Sequence, residues 1–259
     1  MTAGNKEFDM IDLHTHILPN VDDGADGAQT ALALINAEKD QGVSEIVFTP
    51  HYYGQKISPE KFLYNRRIAF EKIADKIDSV KVRMGAEVYF DEIKATSNKD
   101  LCSLAIEGTK CLLLELPFTP TWSDKLFFRL RDFIITTDYT PIIAHVERYP
   151  AVQKNPAYLS ILSDMGCLLQ VNTRSFTFEK TKGLAFAMLK KGFVSCLGTD
   201  THNLTDRAPD YAQARKAVED AGYKNEWETV FLTMRKILDG QTVVSPAYKQ
   251  IKRIFNKYF

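Results

Sequence analysis

The chain has 259 residues, enough for one large α/β domain or two small ones, and its 45% hydrophobic and 25% charged content is that of a globular protein with a proper core. Lys plus Arg number 33 and Asp plus Glu 33, so the formal net charge is zero, which argues against nucleic acid as the main partner because phosphate backbones are held by a basic surplus. No apolar run approaches the roughly 18–20 residues that span a bilayer, and the start, MTAGNKEFDM, lacks the apolar stretch of a signal peptide, so the expected location is cytoplasmic.

In chain order, seven short apolar, β-rich runs recur: FDMIDLH, SEIVFTPH, KVRMGAEVYF, KCLLLELP, TPIIAHVE, GCLLQVNT and GFVSCLGTD. Between most of them lie stretches of helical periodicity: AQTALALINAEKDQG, RRIAFEKIADKI, WSDKLFFRLRDFIITT, AYLSILSDMG and GLAFAMLKKG. Several stop at Gly just before the next strand. Strand and helix alternating at a period of about thirty residues predict parallel strands with crossover helices. Near-continuous apolar strands fit a sheet buried on both faces. This pattern alone fits an open sheet as well as a closed barrel. No Gly/Ser-rich or Pro-rich linker divides the chain, so one domain is expected over 1–259, with 1–8 as a flexible extension. The basic tail from Lys249 to Lys257 reads as a packed terminal helix. Cys102, Cys111, Cys167 and Cys196 form no C-x-x-C pair and are expected to be reduced and mostly buried.

All five histidines fall at or just beyond the carboxyl end of an expected strand: His14 and His16 on the first, His51 on the second, His145 on the fifth, His202 after the seventh. Glu87 and Glu115 stand on the two strands between, and Asp200 precedes His202 by two residues. That edge is where α/β folds build active sites. A lone strand histidine is ordinarily a hydrogen-bonded core residue. Glu115, however, sits among Leu112, Leu113, Leu114 and Leu116, and a carboxylate there needs a cation. His-x-His on a strand turns both imidazoles to one face, which suits capture of one metal ion. Mixed His and carboxylate ligation suits Zn, Mn or Fe, and so many ligands exceed one tetrahedral ion. Two or three ions account for the number, and paired ions clamp the oxygens of a phosphoryl displacement and hold hydroxide at neutral pH. Arg148 and Arg207 each lie within five residues of such a histidine, and a guanidinium matches phosphate bidentately. No cysteine has an arginine six residues on, and there is no G-x-x-x-x-G-K-[ST] loop, G-x-G-x-x-G fingerprint or H-E-x-x-H helix. A cysteine phosphatase, a nucleotide triphosphatase, a dehydrogenase and a helix-type zinc protease are disfavoured.

IDLHTHILPNVDDGA, VFTPHYYG, GAEVYF, LLLELP, PIIAHVERYP, LLQVNTRSF and GTDTHN together resemble the polymerase-and-histidinol-phosphatase (PHP) superfamily, and within it the bacterial metal-dependent tyrosine phosphatases of capsule and exopolysaccharide loci. The likeness runs from about residue 10 to 210, with a weaker helical tail; Thr15, Val146 and Thr201 depart from the usual pattern without removing a ligand. The resemblance implies a distorted seven-stranded, TIM-like (β/α) barrel with three metal ions. His14, His16, Glu87 and Asp200 would hold the first, Glu87, Glu115 and His145 the second, and Asp23, His51 and His202 the third. Taking Asp23 rather than Asp22 rests on the resemblance alone. Arg148 and Arg207 match its phosphate-binding arginines. Manganese is the first expectation, iron and zinc the alternatives.

The implied activity is phosphotyrosine hydrolysis by a metal-bridging hydroxide, on a membrane-anchored tyrosine kinase of polysaccharide export. The rivals are a small-molecule phosphatase such as histidinol-phosphatase, and a metal-binding regulatory module without turnover. Tyr52 and Tyr53 are candidates to flank an aromatic substrate, and Asp12 to support the ligands; Asn172 and Arg174 are left outside the site.

Overall fold

Among the described residues nine short parallel strands form where the sequence reading has seven: β1 (Met10–Thr15), β2 (Val43–Phe48), β3 (His51–Tyr52), β4 (Lys81–Met84), β5 (Glu87–Tyr89), β6 (Cys111–Glu115), β7 (Thr140–Ile143), β8 (Leu168–Asn172) and β9 (Cys196–Gly198). The structure, a computed structural model, describes residues 9–95, 98–243, 250–254 and 257–259. Two of the expected strands are interrupted. Thr49 and Pro50 separate β2 from β3, because proline brings no N–H to a ladder. Gly85 and Ala86 separate β4 from β5.

The breaks divide the strands into a three-stranded sheet of order β1-β2-β4 and a six-stranded sheet of order β3-β5-β6-β7-β8-β9. The larger sheet curls into a half-barrel. The expected parallel α/β architecture is present, but the ladder is not one continuous seven-stranded ring. The sheets meet where β1 runs beside the end of β9: Asp200 N donates to His14 O at 2.8 Å and His16 N to Thr201 O at 2.9 Å. At the opposite seam Glu87 N donates to Pro50 O at 3.1 Å.

The strands are apolar because both faces are covered. Leu112, Leu113 and Leu114 of β6 are all fully buried, as are Ile142 and Ile143 beside them on β7. The helices α1 (Ala28–Asp40), α2 (Pro59–Glu71), α3 (Asn98–Leu104), α4 (Asp124–Thr137), α5 (Pro150–Lys154), α6 (Ala157–Asp164), α7 (Lys182–Lys191), α8 (Tyr211–Asp220) and α9 (Lys224–Leu238) follow or flank them. α2 starts earlier than its periodicity suggests, because Ser58 Oγ accepts from Lys61 N and Pro59 opens the first turn. The tail after Pro209 packs as helices: Trp227, Phe231 and Met234 of α9 join the core, and Tyr211 Oη donates to Ile11 O at 2.7 Å. Among the described residues no helix is long and apolar enough to cross a membrane.

The end of the chain corrects the sequence reading. Residues Arg253–Ile254 (β10) and Lys257–Tyr258 (β11) pair as an antiparallel hairpin instead of a packed helix; Lys249 and the 1–8 extension lie outside the described residues. Ile251 is buried, but Arg253 and Ile254 are exposed, so no continuous helical face is covered. All four cysteines are free; Cys167 and Cys196 are buried, Cys111 is half-buried, and Cys102 is exposed.

At the amino end of the strands, buried Glu45 is satisfied by Arg83 Nε and Arg235 Nη1, each at 2.6 Å. At the carboxyl end the polar groups are arranged very differently.

Candidate metal centre

β1 is buried along its whole length, and its alternation places His14 and His16 on one face. Their Nε2 atoms lie 3.0 Å apart. Each ring is held from behind: His14 Nδ1 lies 3.1 Å from Gln170 Oε1, and His16 Nδ1 2.6 Å from Asp22 Oδ2. Both partners accept, so in the neutral ring each Nδ1 carries the proton and each Nε2 turns its lone pair inward, open to a metal ion or to a second proton. Inward lie Glu87 Oε2, at 3.4 and 3.3 Å from the two Nε2 atoms, and Asp200 Oδ1 at 3.7 and 3.4 Å. Two lone pairs and two carboxylates converging in a dry interior repel one another unless a cation stands among them. The donor set therefore fits a metal ion.

Two further groups adjoin this one. Ligand atoms of His16, Asp23, His51 and His202 all lie within 4.8 Å of one another, and so do those of His51, Glu87 and Glu115. Asp23 Oδ1 is 3.5 Å from His51 Nε2 and 3.4 Å from His202 Nε2. His202 Nε2 is buried and makes no hydrogen bond among the described residues. His145 Nε2 is 2.9 Å from Glu87 Oε1 and 3.7 Å from Glu115 Oε1. All nine expected ligands are thus brought together. The grouping differs from the expected one in that His16 and His51 each belong to two groups, with Glu87 central to the whole.

The strand register explains this convergence. His51 pairs with Glu87, and Tyr89 with Glu115, so the carboxyl ends of β3, β5 and β6 are staggered around one point. Two glycines permit the close approach. A Cβ on Gly198 would meet His14 Cβ at 2.4 Å, and one on Gly24 would meet His16 O at 1.9 Å. The second contact folds the turn after β1 so that Asp22 and Asp23 diverge. Asp22 goes inward to His16 and to the His51 backbone N–H at 2.9 Å, while the more exposed Asp23 reaches His51 and His202. Asp200 and His145 both have left-handed backbones, with φ of 55° and 34°.

Charge follows the same design. Burial most strongly disfavours a charged His16, yet the Asp22 and Glu87 carboxylates together push the ring up to about 9. Against the same opposition, Glu87 pushes His51 up to about 9. Burial and then Glu87 push Glu115 up to about 7. Burial and then His16 hold His202 down to about 3. Burial opposes ionisation of Asp200, but His14 and His16 hold its carboxyl well below the usual range. The interior field at His16 and His51 is that of the carboxylates, and it favours cations.

Arg148 and Arg207 both reach Asp200: Arg148 Nη1 donates to Oδ2 at 2.6 Å and Arg207 Nη2 to Oδ1 at 2.5 Å. An aromatic rim borders the centre. Phe118, 45% exposed, lies with its ring 5.4 Å from that of His145 and 5.6 Å from the Arg148 guanidinium. Tyr53 lies 5.3 Å from the His51 ring and 6.0 Å from Tyr89. Tyr52 does not reach the rim; it is buried against Phe62.

The sequence reading missed four residues that shape the site. Gln170 also accepts from His145 N at 2.6 Å and donates to Asn172 Oδ1 at 2.9 Å, and Asn172 Nδ2 donates to Asp200 Oδ2 at 2.9 Å. A signal was available: two amides alternating in the apolar strand LLQVN share one face. Asp22 and Phe118 carried no local signal that separates them from their neighbours. Asp12 supports the ligands from below, accepting from His14 N at 3.0 Å and from Thr199.

Residues 10–238 match the family described as capsular polysaccharide synthesis, CpsB/CapC. The tyrosine-protein phosphatase CpsB of Streptococcus pneumoniae is 30% identical over 247 residues, covering 90% of this chain and 100% of that one. The tyrosine-protein phosphatase YwqE of Bacillus subtilis is 28% identical over 211 residues, covering 76% and 79%. A crystal structure from a study of YwqE and CpsB as unique metal-dependent tyrosine phosphatases superposes with a TM-score of 0.81 at 23% identity, over 94% of this chain and 100% of that one. The phosphotriesterase homology protein of Escherichia coli, with phosphate in its active site, shares the fold at a TM-score of 0.50 and 13% identity, over 86% and 99%.

Proposed function

The chain belongs to the CpsB/CapC family of capsular polysaccharide synthesis, and on that premise we propose that it is a metal-dependent phosphoric monoester hydrolase acting on phosphotyrosine in protein. The observation that carries this reading is the meeting of nine ligand-type side chains with two arginines at one strand edge. His14, His16, Glu87 and Asp200 would hold one ion, Glu87, Glu115 and His145 a second, and Asp23, His51 and His202 a third. Manganese is the first choice of metal. Bound divalent ions supply Lewis acidity and an activated water at neutral pH.

The chain's own residues do the rest. Gln170 and Asp22 keep His14 and His16 in the tautomer whose Nε2 faces inward. Arg148 and Arg207, at the edge of the pocket, present forked donors to phosphate oxygens and stabilise the negative charge that grows on them during in-line displacement. Phe118 and Tyr53 offer faces to the phenyl ring. A phenol leaves with a pKa of about 10, so it needs less help from an acid than an alkyl alcohol does.

The aromatic rim favours a phosphate carried directly on a phenyl ring over a small alkyl phosphate. The full donor set favours turnover over a purely regulatory metal site. The reading extends to a cytoplasmic enzyme whose substrate is a membrane-anchored tyrosine kinase of polysaccharide export. It also takes the curled sheet, with β1 bonded to the end of β9, as the distorted seven-stranded PHP barrel in a single domain. Hydrolysis of a phosphotyrosine peptide and of histidinol phosphate should be compared in the wild type and in His145→Ala and Arg148→Ala. The peptide should be preferred and both variants should be crippled. Near-wild-type peptide hydrolysis by either variant with metal bound would refute the assignment.

A further inference from the structure

A cleft of about 460 Å³ opens beside the metal centre. It shares Arg148, Asp200 and Arg207 with the centre and continues outward along Arg174, Phe178 and Lys180. The shared part is internally matched, because Asp200 is spanned by both of its arginines. The outer part is only partly so, although the Arg174 guanidinium also acts on the largely buried Asp210 carboxyl. Arg174 and Lys180 form no ion pair within 4.0 Å among the described residues, and the outer wall carries one carboxylate, that of Asp206. Arg174 Nη1 donates to the Asp206 backbone carbonyl rather than to its carboxylate. Its guanidinium lies over the Phe178 ring, 5.8 Å from the centroid, and Phe178 is 44% exposed.

These facts describe a cationic, partly aromatic groove held in place before any ligand arrives. One backbone hydrogen bond and one ring contact fix the Arg174 plane and leave most of its five donors available. Because the cleft is continuous with the centre through Arg148, Asp200 and Arg207, it is open to the residues that flank one bound at the centre.

We propose that this cleft is a second anion subsite, which takes an anionic side chain flanking the phosphotyrosine being hydrolysed. The proposal rests on the phosphotyrosine reading above. The shared chemistry is a carboxylate or a second phosphate meeting Arg174 and Lys180, with Phe178 packing against the stem that carries it. Charge complementarity makes the substrate an acidic or multiply phosphorylated segment.

The test uses the full metal-loaded chain and four substrates. Three are phosphotyrosine peptides differing only in a flanking Gln, Glu or second phosphotyrosine, and the fourth is p-nitrophenyl phosphate, which has no flank. The wild type should show a KM about tenfold lower for an anion-flanked peptide than for the Gln peptide, the change that one charge-assisted hydrogen bond supplies. Lys180→Gln, on an exposed side chain, and the double variant Arg174→Gln/Lys180→Gln should raise that KM toward the Gln-peptide value. They should leave kcat and p-nitrophenyl phosphate hydrolysis unchanged. A gain with either flank supports the subsite, and which flank gains identifies its occupant as carboxylate or phosphate. Equal KM values for all three peptides in the wild type, or variants that impair every substrate alike, would overturn the subsite while leaving phosphotyrosine hydrolysis standing. No turnover of any phosphotyrosine peptide, with p-nitrophenyl phosphate still hydrolysed, would overturn both.

Discussion

Gln170 Oε1 lies 3.1 Å from His14 Nδ1, deep in the interior, and sets which nitrogen of that ring faces the candidate metal centre. An amide oxygen only accepts, so the proton stays on Nδ1. Replacing the amide with a shorter apolar group removes the constraint and leaves a buried N–H unpaired. Gln170→Leu should bind metal about 10–100-fold more weakly. Competition with a chromogenic chelator measures this directly. Unchanged affinity would mean that the contact is packing alone.

Arg148 and Arg207 grip opposite oxygens of Asp200 and stand where phosphate would bind. Lysine at either place keeps the charge and loses the planar fork. Arg148→Lys and Arg207→Lys should each lower kcat on a phosphotyrosine peptide by about 10²–10³-fold, the usual cost of one transition-state donor. Bound metal should be retained. A change confined to KM would place the arginines in ground-state binding only.

Phe118 follows the Glu115 strand end and lies exposed beside His145. Phe118→Ala should raise KM for phosphotyrosine substrates about fivefold, corresponding to an aromatic contact worth about 1 kcal/mol, and should spare aliphatic phosphates. Equal effects on both classes would remove its role in selecting the ring.

Asp210 offers a test away from the ligands. Burial pushes its carboxyl up to about 6 from the ordinary 3.8, although a hydrogen bond from Thr173 Oγ1 and the Arg174 guanidinium pull it down. A raised folded-state pKa in an acid means that the folded chain binds the proton more tightly. Stability from this group is complete below about pH 3.8 and is lost as the pH rises through about 6. Asp210→Asn should therefore flatten the fall in stability across that window by about 3 kcal/mol at most, read from urea unfolding at stepped pH. A slope equal to that of the wild type would contradict this assignment.

The convergence of candidate ligands at one strand edge was legible because strand geometry is local. Alternation puts His14 and His16 on one face, and Glu115 among leucines has no reason to exist without a cation. The supports were not legible, because their partners are remote. Gln170 meets His14 across 156 residues of chain, and no pattern near either residue encodes that pairing. Asp22 and Asp23 are the same residue type side by side, and what separates them is the tight approach of Gly24 to His16. The strand breaks carried a signal in Pro50, but the runs on either side are apolar enough to read as one strand. The tail shows the reverse failure: its spacing suits a helix, but two short strands pair with each other instead.

The central claim is that turnover of phosphotyrosine depends on ions held by these side chains. It is tested most directly by stripping the purified chain with a chelator and restoring manganese, iron or zinc in measured increments. Bound metal and hydrolysis of a phosphotyrosine peptide are then followed together. The account predicts that activity disappears on stripping and returns in step with occupancy beyond the first equivalent. Undiminished turnover by the metal-free chain, or full metal occupancy without turnover, would contradict it.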